Sequence, residues 1–192
     1  MPELILASRS PRRIKLLKDE GYEFTIHPSE IEENLDTTIP IDRAIEKLSL
    51  EKAEAVAAQY PHDIILAADT MVILDGEPLG KPATKEEARE MLQSLSNRSH
   101  EVITGFTIIF QPRRTILTSS SKATVTFIDL PTDVIESYLD TPEPYDKAGG
   151  YAVQESAGAW VKNIDGLRST VIGLPLEEIK PKLAELNVRP KG

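Results

Sequence analysis

The chain has 192 residues, 40% hydrophobic and 28% charged, enough for one ordinary domain with a real core. Lys+Arg total 22 against 31 Asp+Glu, a formal net charge of −9, which excludes a general coat for nucleic acid or for an anionic membrane while leaving room for a local cationic pocket. Zero cysteine excludes disulfides, thiolate metal sites and a cysteine nucleophile, and fits a reducing compartment.

Leu4-Ile5-Leu6-Ala7 reads as a short buried strand. It runs into Ser8-Arg9-Ser10-Pro11-Arg12-Arg13, where Ser10 suits an N-cap and Pro11 the first helical position, with Gly21 ending the helix. Tyr22 to His27 alternates like a strand, and an acidic loop follows from Ser29 to Asp36. Pro40 opens a long helical pattern through Ala44, Ile45, Leu48, Ala53, Val56 and Ala57, which stops before Pro61. Asp63 to Leu74 is the clearest buried strand, with Asp69 expected at the carboxyl end of its apolar run. Asp75-Gly76 is a hairpin signal, and Gly80-Lys81-Pro82 comes just after it.

Thr84 with Glu87 forms a capping-box pattern ahead of a helix through Leu95. Two β-rich stretches, Glu101 to Phe110 and Thr115 to Ile128, are joined by Pro112-Arg113-Arg114. A short helix is expected over Thr132 to Leu139, then a turn-rich polar segment from Thr141 to Gly150. Tyr151 to Gln154 and Ala159 to Ile164 read as further strands, and Leu176 to Leu186 as a last helix with Pro181 as an internal defect. The fold class is α/β with a mixed sheet, in a single domain over residues 1–192 with two lobes around a cleft. No stretch is apolar for long enough to span a bilayer, and Met1-Pro2-Glu3 puts no basic region ahead of its apolar run, so the expected location is cytoplasmic, with no membrane or nucleic-acid partner.

Three places can carry chemistry. The Ser8 to Arg13 junction offers helix N–H groups and two adjacent guanidinium forks to phosphate oxygens; the plainer alternative is a capped surface helix with solvated arginines. Asp69 interrupts an apolar run, and a buried carboxylate is costly unless it meets a metal, a base or a donor. Glu30, Glu32 and Glu33 crowd one loop; if Glu32 or Glu33 faces Asp69, the pair can hold a hard divalent cation through oxygen ligands. Lys81 and Lys147 sit in short turns, which favours binding roles, though turn lysines are most often plain surface residues. His27, His62 and His100 lack metal-ligand spacing, and neither a Walker A loop nor a Gly-x-Ser-x-Gly elbow occurs. In combination, the cations, the helix N-terminus and the carboxylates point to a metal-assisted phosphate site.

These residues fall in blocks that resemble the Maf family of nucleoside triphosphate pyrophosphatases, historically described as septum formation inhibitors. The blocks are Leu6-Ala-Ser-Arg-Ser-Pro-Arg-Arg13, Ile31-Glu-Glu33, Glu51-Lys-Ala53, Ala67-Ala-Asp-Thr-Met-Val72, Leu79-Gly-Lys-Pro82, Ser99-His-Glu-Val-Ile-Thr-Gly105, Glu143-Pro-Tyr-Asp-Lys-Ala-Gly-Gly-Tyr151 and Gly173-Leu-Pro175. The resemblance implies an elongated mixed sheet flanked by helices with a deep cleft, similar to the inosine triphosphate pyrophosphatase fold. It also implies the dTTP/UTP branch, through Arg12, Thr70 and Gln154. Gly150 stands where many relatives have Ala, and the stretch Ile164 to Val171 differs from a more common aromatic-bearing version.

The implied reaction is metal-dependent hydrolysis of dTTP and UTP at the α–β phosphoanhydride, giving a nucleoside monophosphate and pyrophosphate. The implied proton acceptor is Asp69, with Ser8, Arg12, Arg13, Lys52 and Lys81 on the substrate, and Thr70 and Gln154 on specificity. Glu32 or Glu33 would share Mg²⁺ or Mn²⁺ with Asp69, and relatives often pair as homodimers. The alternatives are 7-methyl-GTP hydrolysis and a non-catalytic nucleotide sensor acting on cell division.

Overall fold

The structure, a computed structural model, describes residues 2–191. Met1, where the reading of the N-terminus begins, and Gly192 lie outside them. The elements in chain order are β1 (Leu4–Leu6), α1 (Pro11–Asp19), β2 (Thr25–Ile26), α2 (Ile41–Ala57), β3 (Ile64–Leu74), β4 (Glu77–Leu79), α3 (Lys85–Leu95), β5 (Ser99–Phe110), β6 (Thr115–Phe127), α4 (Thr132–Leu139), β7 (Val161–Asp165), α5 (Arg168–Ile172) and α6 (Leu176–Glu185). The described strands form one mixed seven-stranded sheet in the order β2-β1-β3-β5-β6-β7, with β4 added to β3. β1 pairs in parallel with β2 and β3, whereas β3–β4 and β6–β7 are antiparallel. The chain divides into two compact units, and the divisions fall inside β3, β5 and β6 and between α5 and α6.

The first unit holds the residues up to Asp69, Thr104–Ser121 and the chain from Gly173 onward. β1 and the Ile64–Ala68 part of β3, which pair in parallel, are apolar on both faces, as parallel strands covered on both sides must be. Alternate residues therefore enter different cores. Ile64, Leu66 and Ala68 of β3 pack with Leu4, Leu6, Leu17, Phe106 and Ile179. Ile65 and Ala67 pack on the opposite side with Ile5, Ala53, Val56 and Ala57. The same alternation carries Asp69 to the face that α2 covers. In α2 the buried residues Ile45, Leu48, Ser49, Lys52 and Val56 recur at helical spacing, so Lys52 falls on the inward stripe.

The second unit holds Thr70–Ile103 and Lys122–Ile172. Asp75 and Gly76 both take positive φ, 52° and 85°, which makes the two-residue turn between β3 and β4. Thr84 caps α3 through the Glu87 N–H at 3.1 Å, while Glu87 Oε2 accepts from the Ala83 N–H at 2.7 Å. Its core gathers Leu92, Leu95, Val125, Phe127, Tyr138, Tyr151 and Trp160, with the rings of Phe127, Tyr151, Tyr138 and Trp160 meeting edge to face.

Most expected elements are present, and Ser10 caps α1 as the sequence indicates, accepting from the Arg13 N–H. The differences have physical reasons. Asp69 lies inside β3, five residues before its end, because Met71 to Leu74 continue the strand into the pairing with β4. The alternation at Tyr22 to His27 yields only the two-residue β2 at the sheet edge. Tyr151 to Gln154 is not a strand: the chain enters it from two left-handed glycines, Gly149 and Gly150, turns at Val153 and Gln154, and does not join the described sheet. The short α5 was not marked by any sequence signal taken above.

A close approach fixes β5 against α2. A Cβ on Gly105 would stand 2.7 Å from the Ile45 carbonyl oxygen and 3.0 Å from the Glu46 nitrogen, both backbone atoms of a helix that cannot yield locally. Gly105→Ala should therefore destabilise the protein by about 1–3 kcal/mol, as overpacking does, read as a lower urea midpoint with an unchanged slope.

Candidate active site

The site in the first unit starts from one buried ammonium. Lys52 is 5% exposed and Asp69 7%, and the Lys52 Nζ donates to Asp69 Oδ1 at 2.5 Å. The same Nζ lies 2.9 Å from Glu33 Oε1, whose side chain is half exposed. Two carboxylates, one from the β3 interior and one from the acidic loop, thus converge on a single cation. Removing charges from water is costly, and the geometry offsets that cost only while every partner is kept.

A second cationic group stands at the start of α1. Arg13 Nε donates to the Gly173 carbonyl at 2.7 Å and its Nη1 to Ser8 Oγ at 3.2 Å. Ser8, 7% exposed, also accepts from the Ser10 N–H at 3.2 Å. Burial pushes the Arg13 guanidinium below its ordinary value; Asp69 and Glu33 oppose that shift, and the neighbouring Arg12 adds to it. Arg13 is therefore close enough to Arg12, Asp69 and Glu33 to feel the charge of each. The Gly173 carbonyl is a partner that the side-chain reading missed, although the Gly173-Leu-Pro175 block is the sequence signal that marks it.

Ser8, Arg13, Lys52, Asp69 and Glu33 are thus brought together with Arg12, and Glu33 rather than Glu32 reaches Lys52. Glu32 is exposed and joins no cluster of three metal-binding side chains, and no such cluster occurs among the described residues. Mg²⁺ ordinarily takes one or two carboxylates and completes its shell with water and substrate phosphates, so Asp69 and Glu33 fit an ion that arrives with a polyphosphate.

The remaining sequence candidates belong to the second unit. Thr70 follows Asp69 on β3 and is half-buried; Lys81 and Gln154 are exposed in loops. Lys147 is not a plain surface lysine. It is 4% exposed, and its Nζ meets the Glu143 carbonyl at 2.5 Å, Asp146 at 2.6 Å and Glu155 at 2.9 Å. His100 is 2% exposed, shares a 2.5 Å hydrogen bond with the Tyr151 hydroxyl through Nε2, and has no partner for Nδ1 among the described residues.

The family model described as Maf-like protein matches residues 3–186. The chain belongs to the Maf family. A dTTP/UTP pyrophosphatase of Desulforamulus reducens is 43% identical to this Maf chain over 188 residues, covering 98% of each. A dTTP/UTP pyrophosphatase of Syntrophus aciditrophicus is 42% identical over 184 residues, covering 96% of this chain and 90% of the relative. The Maf chain is an enzyme by this company. Among solved structures, the Ham1 protein of Staphylococcus aureus has a similar fold, with a TM-score of 0.56 at 15% identity, covering 96% of this chain and 99% of that one. No helix of the described residues is long and apolar enough to cross a membrane.

Two stability measurements follow from these geometries. Lys52→Met leaves Asp69 buried without its cation and should cost about 3–5 kcal/mol, whereas adding Asp69→Leu should recover most of the loss; urea unfolding of both variants checks the contrast. Burial holds His100 neutral down to about pH 4, while an exposed imidazole protonates near 6.5. The unfolded chain binds the extra proton between those values, so this stabilisation is complete above about pH 6.5 and is lost as pH falls toward 4, by about 3 kcal/mol. His100→Gln should flatten that part of the stability profile.

Proposed function

We propose that this Maf-family enzyme hydrolyses pyrimidine nucleoside triphosphates, dTTP and UTP, at the α–β phosphoanhydride. The observation that carries the reading is the buried Lys52 between Asp69 and Glu33, with Arg13 and Ser8 beside it, in a chain whose relatives are named for that activity. A polyphosphate needs its charge met by fixed cations and helix N–H groups, and Arg12, Arg13 and the α1 N-terminus supply both in one place.

Phosphoryl transfer asks for positioning and electrostatic stabilisation more than for covalent help. In this reading Asp69 orients the attacking water and accepts its proton. The water oxygen bonds to phosphorus as the bond from that phosphorus to the bridging oxygen breaks, so one triphosphate and one water give a monophosphate and pyrophosphate. Lys52 holds Asp69 and Glu33 in register before substrate arrives, and Arg13, aimed by the Gly173 carbonyl, meets phosphate oxygens together with Ser8. Asp69 and Glu33 are the carboxylates that would hold a divalent cation, Mg²⁺ or Mn²⁺, which when bound neutralises phosphate charge and polarises phosphoryl oxygens. Lys81 is assigned to the phosphates, and Arg12, Thr70 and Gln154 to choice of base; a carboxamide such as Gln154 offers a donor and an acceptor in one plane, as a pyrimidine edge requires. The lack of cysteine suits a reducing compartment, and we place the activity in the cytoplasm.

Pyrophosphate release from UTP, dTTP, CTP, GTP and 7-methyl-GTP, with Mg²⁺ or Mn²⁺ and with chelator, tests the reading. UTP and dTTP should be turned over fastest, with equal yields of monophosphate and pyrophosphate and no turnover under chelator. Preference for 7-methyl-GTP overturns the pyrimidine assignment, and stoichiometric binding without release identifies a sensor.

A further inference from the structure

Gln154 lies on a stretch with no strand or helix pairing, between the short helical turns at Ala148–Gly150 and Ser156–Trp160. An exposed side chain on such a stretch would ordinarily be loosely placed. Here the chain around it is tied down at three points, one through its backbone and two through side chains. Three residues before it, the Tyr151 hydroxyl is bound to the buried His100 of β5 at 2.5 Å. One residue before it, the Val153 carbonyl accepts from Arg168 Nη2 of α5 at 3.2 Å. One residue after it, Glu155 pairs with the buried Lys147 at 2.9 Å. The approach is fixed as well: the Gly149 N–H donates to the Gly80 carbonyl at 3.0 Å, and a Cβ on Gly149 would stand 3.1 Å from the side chain of Val72.

The His100–Tyr151 pair is a poor choice for stability alone. It leaves one imidazole nitrogen buried without a partner, a cost that an apolar pair of similar shape would avoid. What the pair supplies, and an apolar pair does not, is a directional bond that fixes where Tyr151 sits. Arg168 likewise spends a guanidinium on a backbone carbonyl next to the specificity position.

We propose that His100 and Arg168 are positioning residues that, with Lys147, hold the Tyr151–Glu155 segment and so set the discrimination among triphosphate bases exerted by Gln154. This rests on the assignment of Gln154 to base choice made above. Neither residue needs to touch substrate.

The test is a set of double-mutant cycles in the full-length protein. kcat and KM are measured for UTP and CTP in the wild type, Gln154→Ala, Tyr151→Phe, Arg168→Met, and the pairs Tyr151→Phe/Gln154→Ala and Arg168→Met/Gln154→Ala. Val125→Ala serves as a truncation in the same core that removes no hydrogen bond or ion pair from these residues. Tyr151→Phe and Arg168→Met should each raise KM for UTP and lower the UTP/CTP preference roughly five- to tenfold, the worth of one well-placed hydrogen bond, with kcat changed by about twofold or less. In the Gln154→Ala background they should lower the preference no further. Val125→Ala should lower the melting temperature and leave the preference intact. If Tyr151→Phe fails to fold, His100→Leu, which also removes the bond to the Tyr151 hydroxyl, replaces it, with the same expectation. Effects that multiply in the doubles, or a preference unchanged in the single variants, overturn the proposal while leaving the pyrimidine reading in place. A wild type that turns over no pyrimidine triphosphate, or a Gln154→Ala variant with wild-type preference, overturns the assignment of Gln154 and this proposal with it.

Discussion

The buried contact between Lys52 and Asp69 is the constraint on which the site depends. Neither charge is tolerable alone at 5% and 7% exposure, so α2 and β3 must be placed to within a hydrogen-bond length of each other before the unit is stable. Glu33 completes the arrangement from the acidic loop, and the half-exposed side of that carboxylate leaves the cluster reachable by a ligand. The cation and both carboxylates are already in contact without any ligand, which makes the cluster preorganised rather than assembled on binding.

Everything around that contact serves to place it. The two cores on opposite faces of β1 and β3 set the alternation that turns Asp69 toward α2, and the inward stripe of α2 brings Lys52 to meet it. The absence of a side chain at Gly105 lets the Ile45 carbonyl, and with it α2, lie close against β5. At the start of α1 the chain returns from Gly173 to lend a carbonyl to Arg13, so residues 160 positions apart fix one guanidinium. In the second unit the same economy appears around Gln154, whose neighbours are held by His100, Arg168 and Lys147 rather than by a β-ladder.

Much of this was legible in the sequence, and for definite reasons. Ser10, Pro11 and Gly21 bracket α1 because caps and breakers act locally, and Asp75-Gly76 marks its hairpin because only certain residues accept positive φ twice in succession. The apolar run at Ile64 to Ala68 announces a strand buried on both faces. What local signals did not carry is where a strand ends when a later hairpin extends it, which is why Asp69 proves to be interior to β3. Nor could they say that Glu33 and not Glu32 meets Lys52, since adjacent loop residues differ only in direction. A lysine breaks the apolar pattern of α2, so the inward place of Lys52 shows only in the structure, and the burial of Lys147 is hidden in the sequence because turn lysines are usually solvated. The Gly173 carbonyl and the His100–Tyr151 bond are tertiary contacts across 160 and 51 residues, visible in sequence only as blocks without an evident local purpose.

The central claim is that the carboxylate held by Lys52 performs the chemistry. Its most direct test is turnover and UTP binding measured on the same preparation of Asp69→Asn. The account predicts binding within about an order of magnitude of the wild type and pyrophosphate release lowered by about a hundredfold or more, the scale of a lost proton acceptor. Full turnover by a variant that binds UTP normally would contradict it and take Asp69 out of the reaction.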